Sequence, residues 1–118
     1  MDSFAVAAIP VAKIDEWLTF CREAAEGDRA DAHRQFLRRG GVTREHIFLQ
    51  RTPAGDLMLL VWEGVDPQQQ VDHMASFLAD PQSDHERYLR DRVLPEFHGM
   101  DPAQPLPPAT ERIATIEP

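Results

Sequence analysis

The chain has 118 residues, enough for one domain (1–118) with a real hydrophobic core. Its net charge of −8 argues against nucleic acid as a main partner, because phosphate binding needs a dominant basic surface. The single cysteine, Cys21, excludes an intrachain disulfide framework. The apolar run from Phe4 to Ala12 is broken by Pro10 and followed by Lys13. It is too short for a bilayer span and has no basic flank for a signal peptide, so a cytoplasmic protein with no membrane partner is expected.

In chain order, Phe4 to Ile9 reads as a first strand whose small apolar residues suit packing on both faces. A helix follows from about Lys13, with Ile14, Trp17, Leu18, Cys21 and Ala25 as its inner stripe. Asp28 is placed to cap a second helical segment carrying Ala32, Phe36 and Leu37 inward. Gly40-Gly41 supplies its left-handed stop.

Residues 44–64 carry two apolar runs around Thr-Pro-Ala-Gly. Pro53 and Gly55 suit a tight turn. Pairing Arg51 with Asp56 sets an antiparallel register: Leu49 opposite Met58, Ile47 opposite Leu60, Glu45 opposite Trp62. One face then holds Ile47, Leu49, Met58, Leu60 and Trp62. The other holds Phe48, Leu57, Leu59 and Val61, with His46, Gln50 and Glu63 near its ends. Both faces are apolar.

Asp66-Pro67 starts a third helix with Val71, Met74, Ala75 and Leu78 inward, ended by Pro81. Ser83 and Glu86 form a capping box for a last helix with Tyr88, Leu89, Val93 and Phe97 inward, where Pro95 should kink or stop it. Residues 101–109 contain four prolines and should run extended. Residues 110–117 can form a short last strand, on the sheet edge or on a partner subunit. The order is that of a ferredoxin-like βαββαβ sandwich, an α+β fold with an extra helix. Helices cover one face of such a sheet, so the second apolar face predicts a homodimer with sheets face to face.

Three blocks, "FAVAAIPV", "RRGGVTREHIFLQRTPAGDLMLLVWEG" and "FHGMD", resemble the dimeric α+β barrel superfamily, and most closely its small uncharacterised members. The superfamily also includes small monooxygenases of the antibiotic-biosynthesis type and muconolactone-isomerase-like proteins. The resemblance implies a ligand pocket between sheet and helices in each subunit. Trp17, His46, Phe48, Glu63, Tyr88 and His98 are the candidate lining residues, and a small apolar or aromatic metabolite is the candidate ligand. His46 or His98 could then take a proton from an acidic phenol or enol, the step a cofactor-independent monooxygenase or isomerase needs.

Each of these residues also has a plain structural reading. His46 can be a strand-end histidine, and Trp17 and Tyr88 can be core through area alone. His98 can interact with a helix dipole. A dimer with filled cavities and no ligand is a third reading. His73 and His85 stand beside Asp72 and Glu86, but neighbours on a helix point to different faces. Arg34, Arg38, Arg39, Arg44 and Arg51 lie in a stretch with only two carboxylates, Asp31 and Glu45. They can serve the helix dipole, an acidic partner surface or an anionic ligand. Cys21 reads as a small buried hydrophobe. No phosphate loop, nucleophile elbow, dinucleotide fingerprint or zinc spacing occurs, so neither cofactor nor metal is expected.

Overall fold

A computed structural model describes residues 3–118. Strand β1 is Phe4–Val11, β2 Arg44–Thr52 and β3 Gly55–Glu63. They form one antiparallel sheet in the order β1-β3-β2. The hairpin has the expected register: Arg51 pairs with Asp56, Leu49 with Met58, Ile47 with Leu60 and Glu45 with Trp62. β1 pairs along the other side of β3, with Ala5 opposite Trp62 and Ile9 opposite Met58. Because side chains alternate across a strand, Ala5, Ile9, Met58, Leu60 and Trp62 share one face, and all are buried.

The helices cover that face. They are α1 (Ile14–Glu26), α2 (Ala30–Arg39), α3 (Pro67–Ala79) and α4 (Asp84–Tyr88); α4 runs on into a wide π-helical stretch, Leu89–Phe97. The start of α1 is tied to the end of that stretch, where the Phe97 carbonyl accepts from the Ala12 amide at 2.7 Å. The α3 start is as expected. The Asp66 carboxylate accepts from the Gln69 amide, and the Gln69 side chain accepts from the Asp66 amide, both at 2.8 Å.

Several sequence expectations need correction. The buried side of α1 is Trp17, Phe20 and Ala24, one position round from the expected Leu18–Cys21–Ala25 line. Asp28 does not cap α2, which starts at Ala30 without a side-chain cap and buries Ala30, His33 and Phe36. In α3 the buried residues are Gln70 and Phe77, and Ala75 is exposed. Of the Gly pair, Gly41 takes the left-handed conformation at φ 79°. Gly40 is needed for a different reason: a Cβ there would collide with the His73 ring. Ser83 caps α4 by accepting from the Glu86 amide at 3.1 Å, but the Glu86 carboxylate turns inward to Arg39 and the Gln82 amide. Pro95 lies inside the π-helical stretch. A proline ring crowds the carbonyl four residues back, here Asp91, and a wider turn relieves that crowding, so Pro95 does not stop the helix.

Residues 110–117 form no strand, and the sheet has three strands. Pro105, Pro107 and Pro108 have no N–H to give to a ladder, so the segment before Thr110 cannot zip onto the free edge of β1. One contact holds the tail there: the Thr110 hydroxyl donates to the Val6 carbonyl at 3.1 Å. Among the described residues no helix is long and apolar enough to cross a membrane.

Candidate functional site

The alternation of β2 divides the six sequence candidates. Glu45, Ile47 and Leu49 point toward the helices, while His46 and Phe48 point away, together with Glu63 of β3. On that outer face the His46 ring donates Nε2–H to the Glu63 carboxylate at 2.7 Å and stacks against Phe48, with centroids 6.4 Å apart. His46, Phe48 and Glu63 therefore form a cluster of their own and do not share a pocket with Trp17 or His98. Tyr88 is half-buried. Its ring packs on Phe20 and carries the Arg29 guanidinium 3.7 Å from its centroid.

Trp17 and His98 do line a cavity between sheet and helices. Its volume is about 60 Å³, and its other walls include Phe36, Met58, Trp62 and Phe77. The His98 ring donates Nδ1–H to the Pro10 carbonyl at 2.8 Å, which leaves Nε2 as the acceptor nitrogen. Burial holds this ring below the ordinary histidine range, so it is neutral at pH 7.

Beside that cavity lies a polar chain that the sequence reading missed. Trp62 donates its indole N–H to Glu45 Oε2 at 2.7 Å, and His33 Nε2 meets Glu45 Oε1 at 2.8 Å. His33 Nδ1 meets His85 Nε2 at 2.9 Å. A carboxylate only accepts, so His33 gives Nε2–H to Glu45. One hydrogen bond therefore joins the two imidazoles, between His33 Nδ1 and His85 Nε2. His85 Nδ1 is buried and without a partner among the described residues. Burial pushes the His85 pKa down to about 4, and the neighbouring His33 and Arg29 push the same way. Phe20 lies parallel to the His85 ring at 6.1 Å and closes one side.

The chain is also a partition. Cys21, His33, Glu45 and Ile47 line the inner cavity and, on their other side, a groove of about 460 Å³ between α1, α2 and β2. Arg34 and Leu37 flank the groove mouth. The inner cavity alone is smaller than the roughly 150 Å³ that holds a benzene ring. The groove lies within the usual ligand range of about 300–1,000 Å³. Burial, with the charge of Glu45, pushes the Cys21 thiol up to about 12, so it stays a protonated, unreactive wall.

The arginine stretch divides by role. Arg39 pairs with the buried Glu86, Arg34 with Asp31 at 3.3 Å, and Arg44 with Glu63 at 3.8 Å. His73 donates Nε2–H to the Phe36 carbonyl at 2.9 Å. Among the described residues no group of three or more histidine, cysteine, aspartate or glutamate residues is arranged to hold a metal ion. His33 was legible in principle, since Ala30, His33 and Phe36 recur every three residues on α2. Counting only apolar positions hid it. No family model matches the chain. No curated protein and no solved structure matches it either.

Proposed function

We propose that the protein is a homodimer, sheet face to sheet face, and that each subunit binds a small apolar or aromatic molecule in the groove between α1, α2 and β2. The observation that carries this reading is the shared partition of Cys21, His33, Glu45 and Ile47, with a ligand-sized groove on one side and an apolar cavity on the other. The groove offers apolar walls and a few convergent polar groups, the usual make-up of a small-molecule site. His33 and Glu45 would orient a hydroxyl or carbonyl, and Arg34 at the mouth suits an acidic substituent.

The dimer has separate support. Phe4, Val6 and Phe48 are 38%, 43% and 54% exposed on the outer sheet face, beside half-buried Leu57, Leu59 and Val61. No described element packs there. The strand order β1-β3-β2, with one helical crossover from β1 to β2 and further helices after β3, supports the ferredoxin-like sandwich and the dimeric α+β barrel resemblance, here without a fourth strand.

Titration with 1-naphthol, followed by the Trp62 indole N–H resonance, tests the binding reading. Saturable shifts at Trp62 and Ile47 are expected. Ala25→Trp, on an exposed helix position at the groove, should remove them without unfolding the chain. Shifts that survive this block would place binding elsewhere.

One observation favours a catalytic second reading, a cofactor-independent isomerase or monooxygenase. His98 lines the inner cavity as a neutral ring with Nε2 free to accept a proton. Exchange of solvent deuterium into acetone, the smallest enolisable ketone, should occur with wild type and stop in His98→Gln. Equal exchange in both would remove His98 from the role.

A further inference from the structure

A second cavity lies on the far side of the core, at the free edge of β1. It has a volume of about 250 Å³. Its floor is Val6 to Ile9 of β1 with Leu60, one wall is Gln70, Val71 and Met74 of α3, and its roof is the tail from Leu106 to Thr110. The lining is almost wholly apolar; besides the Thr110 hydroxyl, already bonded to the Val6 carbonyl, there are two exceptions.

The first is Gln70. It is 3% exposed, and its side-chain amide nitrogen is buried with no hydrogen-bond partner among the described residues. A buried amide without a partner is costly, and native structures hold few of them. The second is the backbone of β1. In an antiparallel ladder the N–H and C=O of one residue point to the same side, and successive residues alternate. The Val6 carbonyl accepts from Thr110, and the Pro10 carbonyl accepts from His98, so both point away from β3. Ala8, between them in the alternation, points the same way and lines the cavity. Its N–H and C=O are free of strand partners. Pro107 and Pro108 have no N–H to give the Ala8 carbonyl, and among the described residues no hydrogen bond joins the tail to Ala8.

We propose that this cavity is a binding site for a small apolar molecule bearing a carboxamide or lactam group, gripped between the Ala8 backbone and the Gln70 amide. Each of the two protein groups offers one donor and one acceptor direction, and so does a carboxamide. It therefore pairs with Gln70 whichever way that amide is turned. The apolar remainder of the ligand packs on Leu60, Met74 and Leu106 beneath the proline roof. The volume suits a fragment of this kind, just under the range of drug-sized pockets, which starts at about 300 Å³. This site is separate from the groove at His33 and Glu45.

Benzamide is the probe, with toluene as its apolar counterpart, titrated into the full-length protein under amide-detected NMR. Benzamide should shift the Ala8 N–H, the Gln70 side-chain NH₂ and Thr110 saturably, and more tightly than toluene. Gln70→Met should reverse that preference and weaken benzamide at least tenfold. The same variant should unfold at higher urea than wild type, since it removes an unpaired buried amide, so loss of binding cannot be put down to loss of fold. Thr110→Val leaves Gln70 in place and loosens only the roof, so it should weaken both probes alike. Three results would overturn the proposal: no saturable shift at Ala8 and Gln70, shifts confined to the groove beyond His33, or equal benzamide binding in Gln70→Met.

Discussion

The two faces of the sheet are equally apolar along β3 but differ in what packs on them. Toward the helices, Met58, Leu60 and Trp62 are at most 6% exposed and meet α1, α2 and α3. Away from them, Leu57, Leu59 and Val61 remain half-buried next to exposed Phe48 and Val6. The inner face also contains the only carboxylate of β2, Glu45, held by Trp62 and His33. The outer face keeps its charged and imidazole groups, His46, Glu63 and Arg44, at one end of the sheet, with Gln50 toward the other. An apolar strand that alternates nothing thus carries two surfaces. One is completed within the chain, and in our reading the other is completed by a second copy.

Substitutions on the two faces should separate these roles. Trp62→Ala opens a cavity beside Phe36 and leaves Glu45 short of a donor. It should cost about 3–5 kcal/mol, read from the urea midpoint. The matched change outside, Leu59→Ala, should cost under about 1 kcal/mol in dilute protein yet weaken self-association. Similar losses at both positions would mean that the outer face is packed within the chain.

Arg39→Ala tests the polar support of the inner side. It strips the counter-charge from Glu86, which is 2% exposed. Removing one partner of a buried pair costs about 3–5 kcal/mol, but Arg39 is itself partly solvated, so about 2 kcal/mol is expected. A loss below about 0.5 kcal/mol would show that Glu86 is satisfied without it.

The histidine chain should appear in the pH dependence of stability. Folding pushes the His85 pKa down to about 4 from an ordinary 6.5. Between these values the unfolded chain binds the extra proton, so stability is full above about pH 6.5 and falls as pH drops toward 4. Burial lowers His73 and His98 as well, which acts in the same direction. The His85 share is on the order of 2 kcal/mol across that window. It should flatten in His85→Asn, measured against wild type at pH 7 and pH 5. An unchanged slope would remove His85 as the source.

The smallest effect on stability is expected at Phe48→Ala. An exposed side chain on the outer face should change the unfolding free energy of the monomer by less than about 0.5 kcal/mol. The dimer should still be weakened, because aromatic side chains often anchor interfaces.

The hairpin was readable because one pair of opposite charges, Arg51 and Asp56, fixed every other pair in it. That register also put Glu45 opposite Trp62 before any helix was placed. The helix phases were less legible. Apolar spacing alone favours Leu18 and Ala75, but packing selected Phe20 and Gln70, because a buried polar residue adds nothing to a hydrophobic count. For the same reason His33 was missed, His85 was read only as a neighbour of Glu86, and Glu86 as a capping residue, although all three are buried. The candidate site joins residues 33, 45, 62 and 85, which no short motif spans. The final strand did not form: residues 110–117 build no ladder and meet β1 through the Thr110 hydroxyl on the Val6 carbonyl.

The central claim is that a second copy covers the outer face. Light scattering during gel filtration tests it most directly. The account predicts about twice the chain mass of 13.4 kDa for wild type, and a folded species of single-chain mass for Leu59→Lys. A folded wild type at the single-chain mass would contradict it.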